Sequence, residues 1–251
     1  MSALFSKQVS RRAFLRGSAA VGGGALVGFN SLFGFSRVLG QEMSDDDLAT
    51  IINLASTAEL FATTHYLAGI NGAADLGLTE PEIAYLKAAF ISEQDHLELL
   101  QSLGAAPVVT EFYVPETLFS DKALFAAVTE LAETTFVGAY LAATRVFSKS
   151  AETTPFAVTT AQIACVEAEH RALVRQIGRS LPNNISYAQF TLNNVSDAVP
   201  VLQAFLDGKG PDTLPTFVGP VMPPGADDIA AIRAEAGMLG YDSSVKPFAA
   251  M

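Results

Sequence analysis

The amino-acid sequence predicts an all-α protein, a four-helix bundle with a long connection between its second and third helices and a C-terminal extension. Three observations carry this. Alanine, leucine and phenylalanine dominate the middle of a 251-residue chain that is 50% hydrophobic and 16% charged, a composition that favours helix over sheet. The residues Glu59, Tyr66, Glu93 and His96 recur as Glu133, Tyr140, Glu167 and His170, offset by 74 at every position. Between the two copies lies GAAPVVTEFYVPETLFS (104–120), with two prolines and no helical period.

The length suffices for one domain with a sizeable core. The single cysteine, Cys165, excludes an intramolecular disulfide and any cysteine-rich metal site, and its apolar neighbours predict a buried structural thiol. Net charge is −11, unevenly spread. The first 41 residues hold five basic side chains and no acidic one, which leaves ten basic against 26 acidic in the rest. An acidic body of this kind repels phosphate backbones and anionic membranes, so nucleic acid is not an expected partner.

Residues 1–41 read as an export signal. SRRAFLR (10–16), with Arg11 and Arg12, resembles the twin-arginine translocation motif, with arginine where lysine is common at the last position. The run that follows, residues 17–35, is apolar but holds six glycines, which suits a signal better than a membrane anchor. Val38-Leu39-Gly40 before Gln41 is an imperfect cleavage site, which leaves an uncleaved anchor open. The resemblance implies the twin-arginine translocase as a partner, a periplasmic or cell-envelope location, and folding with any cofactor before export.

The bundle is expected over residues 45–180. The first helix runs from about Asp45 to Ala68, capped by Ser44 or Asp45 and ended by Gly69 and Gly72. Glu59 shares its face with Ile52, Ala55, Ala62 and Tyr66, an apolar stripe in which a glutamate needs explaining. The second helix follows Thr79, with Glu82 as capping-box partner and Pro81 in the first turn, and stops before Gly104. At roughly 3.3 Å per residue the 104–120 connection spans about 55 Å, enough to run the length of the bundle and enter the third helix from the far end. That helix covers about Asp121 to Ser148, capped by Ser120, and the fourth runs from near Pro155 to Gly178. Residues 181–251 form a polar, proline-rich tail with short helices over 196–206 and 227–238 that pack on the bundle, and it carries no chemical motif.

In each copy a glutamate and a histidine three residues apart share one helix face, so Glu93 with His96 and Glu167 with His170 each aim a carboxylate and an imidazole at one point. A pseudo-two-fold axis brings Glu59, Glu93, His96, Glu133, Glu167 and His170 together. Four carboxylates in an apolar bundle repel and resist ionisation, and two divalent cations cancel their charge. Hard oxygen with borderline nitrogen suits two iron or manganese ions, tolerates zinc and argues against Cu(I). Glu130, one turn before Glu133, competes as a ligand, although the match of Tyr140 to Tyr66 favours Glu133. Tyr66 and Tyr140 lie about 10.5 Å along the axis from the glutamates of their own copies, so they support the site or the core rather than bind metal. Glu169 points away, and His65, about 240° around the helix from Glu59, reads as a satisfied histidine.

Glutamates from two helices and Glu-x-x-His from the other two make residues 45–180 resemble the ferritin-like superfamily, and more closely its exported bacterial branch related to desiccation-related proteins. The resemblance implies a di-metal oxidoreductase acting on dioxygen, peroxide or Fe(II), as a ferroxidase or in a catalase-like role. It also admits a non-catalytic stress or envelope protein that keeps the bundle as a scaffold. A storage cage fits poorly with a signal segment and a tail of roughly 70 residues, whereas a homodimer is compatible. No glycine loop in a strand–helix context provides for a nucleotide electron donor.

Overall fold

A computed structural model describes residues 45–189, 192–209 and 216–248. The signal segment, with Arg11 and Arg12, lies outside the described residues. Four long helices, α1 (Leu48–Asn71), α2 (Glu80–Ser102), α3 (Lys122–Phe147) and α4 (Thr154–Ile177), form the bundle. Thr79 and Glu82 make the expected capping box at α2, with Glu82 accepting from the Thr79 N–H at 2.7 Å. Two expected caps move by one to three residues. Asp47 caps α1 by accepting from the Thr50 N–H at 2.7 Å, because Asp45 is engaged by Arg145 and Lys149. Asp121, rather than Ser120, caps α3 through the Ala123 and Leu124 N–H groups.

Gly69 does not end α1, which continues to Asn71. Its missing side chain makes room for a neighbour: a Cβ there would sit 2.8 Å from the Phe125 ring. That ring stacks on the His65 imidazole at 5.0 Å between centroids and 4° between planes. The glycine serves packing between helices, a role that a helix-terminus reading does not reveal.

The connection from α2 to α3 runs along α1 from one end of the bundle to the other. Its backbone donates hydrogen bonds to α1 side chains in order, Ala106 N–H to Asn53 Oδ1 at 2.9 Å and Val108 N–H to Thr57 Oγ1 at 2.8 Å. Phe112 then meets Phe61 at 5.4 Å, and Phe119 meets His65 at 5.6 Å. Lys122, at the start of α3, reaches Glu82 at 2.7 Å, which fixes that start beside the start of α2.

The extension adds a 3₁₀ turn (Val195–Ala198), α5 (Val199–Asp207) and α6 (Ala226–Met238). It also adds one feature absent from the sequence reading. β1 (Phe112–Pro115), inside the crossover, pairs antiparallel with β2 (Phe217–Val221), in the tail, with Val114 opposite Val218. Neither segment alternates in hydropathy, and residues over 100 positions apart must meet to form the ladder, so no local signal announces it. Phe205 of α5 contacts both Phe61 and Phe217, at 5.2 and 5.3 Å, and ties ribbon, tail and α1 together. α6 covers α2 through buried Ile232 and Ala236, Arg233 to Asp95 at 2.6 Å, and Lys87 to Glu235 at 2.5 Å.

Cys165 is exposed, contrary to the expected buried thiol. The inward face of α4 is set by Ile163, Ala164, Glu167 and His170, and position 165 is about 200° from Glu167, on the outer face. A Gly69→Val substitution should lower stability by about 1–3 kcal/mol by displacing the Phe125 ring, with thermal unfolding as the check; an unchanged melting temperature would mean that the ring has room to move.

Candidate metal centre

Each bundle helix delivers one glutamate to the centre. Glu59, Glu93, Glu133 and Glu167 are all buried, with no side chain more than 2% exposed. Glu93 and Glu167 stand one helical turn before a histidine, so carboxylate and ring leave α2 and α4 on the same side. All six predicted residues converge, and the structure divides their roles in a way their spacing does not.

Glu93 and Glu167 lie between the two imidazoles. His96 Nδ1 is 3.3 Å from Glu93 Oε2 and 3.3 Å from Glu167 Oε1, while His170 Nδ1 is 2.9 Å from Glu93 Oε1 and 3.2 Å from Glu167 Oε2. The other two glutamates are each nearer one ring. Glu59 Oε2 is 3.6 Å from His96 Nδ1, and Glu133 Oε2 is 3.9 Å from His170 Nδ1. Two overlapping ligand groups result, Glu59, Glu93, His96, Glu167 and Glu93, Glu133, Glu167, His170, with all donor atoms of each group within 4.8 Å of one another. Each group holds the first glutamate and the histidine of one sequence copy, and the two middle glutamates belong to both.

Hydrogen bonding leaves this cluster incomplete. Among the described residues, Glu59 Oε2, Glu93 Oε1, Glu133 Oε2 and Glu167 Oε1 are buried without a hydrogen-bond partner, one oxygen on each carboxylate. The His170 ring nitrogen is close to Glu93 Oε1 but not aligned to donate to it, and an off-axis contact of this kind does not satisfy the oxygen. Buried carboxylate oxygens left bare are costly. Four converging on one interior space, beside two ring nitrogens, are a donor set that fits two divalent ions of the iron or manganese kind.

The supporting tyrosines cross between the copies. The Tyr66 hydroxyl donates to Glu133 Oε1, and the Tyr140 hydroxyl donates to Glu59 Oε1. Each tyrosine thus holds the unshared glutamate of the opposite copy and leaves its other oxygen facing the centre. The along-axis separation from a tyrosine's own glutamate could not reveal this, because the contact spans helices. Tyr85, which the sequence reading did not single out, donates to the His170 carbonyl at 2.8 Å and lies beside Tyr66.

The protonation pattern follows from burial and crowding. Desolvation, together with the Glu93 and Glu167 charges, pushes Glu59 well above the usual carboxylate range, and desolvation with Glu93 does the same to Glu133. Burial alone would also raise Glu93, but the adjoining His170 outweighs it and holds Glu93 low. Burial disfavours charge on both imidazoles, yet Glu59 beside His96 and Glu93 beside His170 raise them above the ordinary histidine value. Without metal the cluster therefore holds protons, which burial and crowding favour on the carboxylates Glu59 and Glu133 and the neighbouring carboxylates favour on the two imidazoles.

Other candidates fall outside the centre. Glu130, the alternative to Glu133, instead pairs with Arg171 at 3.1 Å and with Arg175. Glu169 is exposed, as its position predicts. His65 is in neither ligand group. Its Nε2 meets Thr129 Oγ1 at 2.7 Å, but its Nδ1 has no hydrogen-bond partner among the described residues, so the expected satisfied histidine is only half satisfied; burial lowers its pKa to about 3, which keeps it neutral in the core.

Metal uptake must displace protons held by the cluster, so apparent affinity should rise with pH, by about tenfold per unit for each proton displaced, and fall on acidification. Calorimetric titration in buffers of different ionisation enthalpy checks this; a pH-independent affinity with no proton release would contradict the assigned protonation. Tyr66→Phe and Tyr140→Phe should each weaken metal binding about 10–100-fold by freeing one glutamate to turn, measured by competition with a chelator.

A family model described as a ferritin-like domain matches residues 47–179, the four bundle helices with all six donor residues and both tyrosines. No curated protein matches the chain.

Proposed function

The chain belongs to the ferritin-like domain family, and from that premise we propose that it is an exported protein that binds two iron or manganese ions and acts as an oxidoreductase on dioxygen, peroxide or Fe(II). The observation that carries the reading is the sharing of Glu93 and Glu167 between two equivalent ligand groups. In one position Glu59 and His96 would be the unshared ligands, and in the other Glu133 and His170. Bound there, such a metal pair supplies redox electrons and Lewis acidity for oxygen chemistry.

The chain's own residues prepare that site in three ways. The carboxylates provide four negative charges for the four positive charges of the ions. Tyr66 and Tyr140 orient the unshared glutamates through their hydroxyl groups. The surrounding apolar core keeps bulk water away and strengthens every charge interaction inside. Export rests on the resemblance of residues 10–16 to a twin-arginine signal, a route that suits a cofactor loaded before translocation, and it makes the periplasm or cell envelope the expected location.

A second reading, a non-catalytic stress or desiccation-related envelope protein, draws support from the near-complete burial of the glutamates, which suits metal held structurally. Metal analysis of the purified protein and its variants separates the readings. Two iron or manganese ions per chain are expected. Glu93→Ala and Glu167→Ala should each lose both ions because each removes a shared ligand, whereas Glu59→Ala or Glu133→Ala should retain about one. Oxygen consumption on adding Fe(II), abolished in the first pair of variants, would support catalysis. Redox-silent zinc, or metal content indifferent to Glu93 and Glu167, would sink the oxidoreductase proposal.

A further inference from the structure

Between α3, α4 and the chain that follows α4 lies a cavity of about 210 Å³, lined by Thr134 and Val137 of α3, Arg171 of α4 and residues of the segment 182–189. This is far above the roughly 15 Å³ that a single water requires, so the space can take a small molecule. None of the six metal-donor residues lines it.

The lining holds one cation and no acidic side chain, in a part of the chain that is strongly acidic overall. That cation, Arg171, is only 9% exposed, and a charge so enclosed is costly unless it is fully paired. Its Nε donates to Thr134 Oγ1 at 3.0 Å, and its Nη2 donates to Glu130 Oε1 at 3.1 Å and to Asn184 Oδ1 at 3.0 Å. Its Nη1 makes no hydrogen bond among the described residues. Glu130 is shared with Arg175, so two guanidinium groups stand against one carboxylate. Burial holds the Arg171 pKa below the ordinary arginine value, with Glu130 opposing the shift and Arg175 adding to it. One positive charge is left over beside the cavity.

The internal duplication marks this charge as an addition. In the first copy the counterparts of Thr134 and Arg171 are Leu60 and Leu97, the second of them 3% exposed. The counterparts of Glu130 and Arg175 are Ser56 and Gln101. A leucine meets the packing needs of that place in the frame, so helix packing alone does not call for a guanidinium there. Tethering the chain after α4 does not account for it either. Arg175 already donates to the Leu181 carbonyl at 2.8 Å, and the Asn184 contact uses Nη2 and leaves Nη1 unspent.

We propose that this cavity binds a small organic carboxylate, whose charge is met by Arg171 and whose apolar body rests on Val137 and Ile185. The two N–H groups of Nη1 belong to a planar fork whose geometry matches a carboxylate. Asn183, Ser186 and Gln189 also line the cavity, and their side chains make no hydrogen bond among the described residues, so they can complete the shell around the anion. Val137 and Ile185 offer apolar contact that an inorganic anion would leave unused.

The test uses butanoate with the full-length, metal-free protein carrying isotope-labelled valine and isoleucine methyl groups. Nuclear Overhauser contacts from the butanoate chain to the Val137 and Ile185 methyls are expected, and their absence would overturn the proposal. Butanamide, which has the same shape without the charge, should bind at least about tenfold more weakly, since hydrogen bonds to charged groups are the stronger ones. Arg171→Gln should weaken butanoate by about tenfold or more for the same reason. Equal binding of butanamide, inorganic phosphate binding as tightly as butanoate, or undiminished binding by a folded Arg171→Gln variant would each overturn it. Should that variant not fold, the wild-type measurements decide. Because all are read without metal, failure here leaves the metal centre standing, and a failed metal test leaves this result intact.

Discussion

Four carboxylates confined within an apolar bundle set the terms for the rest of the molecule. Their mutual repulsion and lost hydration would drive the helices apart or force all four to take up protons. The fold answers with two imidazoles at 2.9–3.6 Å, which bring positive charge to Glu59, Glu93 and Glu167, and with two tyrosine hydroxyls that satisfy one oxygen each on Glu59 and Glu133. These groups leave one bare oxygen per carboxylate. The residual deficit points inward, and divalent cations fit it by charge, by donor type and by number. Stability of the interior and capacity for metal are therefore two aspects of one electrostatic problem.

A centre that depends on distances of a few tenths of an ångström requires helices that do not slide, and each bundle helix is braced from outside. The crossover bonds to Asn53 and Thr57 on α1, within two turns of Glu59. The Arg233 bridge from α6 falls on Asp95, the neighbour of His96. Arg145 of α3 donates to the Asn193 carbonyl in the tail at 2.6 Å. Arg171, next to His170 on α4, ties Thr134, Glu130 and Asn184 together. Individual exposed ion pairs contribute little stability, but set beside the ligand residues they restrict rotation and translation of the helices that carry the donors. The extension thus has a physical role without holding any ligand.

The legibility of the sequence follows the range of each interaction. The four helices can be read because capping and helical periodicity are local, and the convergence of the six residues because duplication repeats a local spacing. The bundle direction was readable too, since the length of residues 104–120 fixes what that segment can reach. Contacts between distant segments were not. Nothing near Phe112 or Phe217 signals their ladder, and nothing near Tyr66 signals Glu133. Gly69 was misread because a glycine near a helix end has two physical uses, termination and close packing, which only the position of Phe125 distinguishes. Cys165 was misread because apolar neighbours in sequence are not neighbours on a helix face.

The duplicated frame keeps the donors equal while the surroundings differ, and this has consequences for the chemistry. Positions 56, 97 and 101 carry serine, leucine and glutamine in the first copy, where the second carries Glu130, Arg171 and Arg175, an ion-paired group beside His170. The His96 side chain is 12% exposed and that of His170 is 6% exposed. Two ions in chemically matched positions would therefore meet solvent and charge unequally. The more open position lies toward α2, next to Asp95 and Tyr241, while an apolar cavity at the end of the bundle where α1 begins is lined in part by Tyr140, whose hydroxyl donates to Glu59 of the same ligand group. Both departures from symmetry bear on the group formed by Glu59 and His96. Symmetric ligands allow two ions to share charge through Glu93 and Glu167, and asymmetric surroundings give one of them the readier contact with whatever enters.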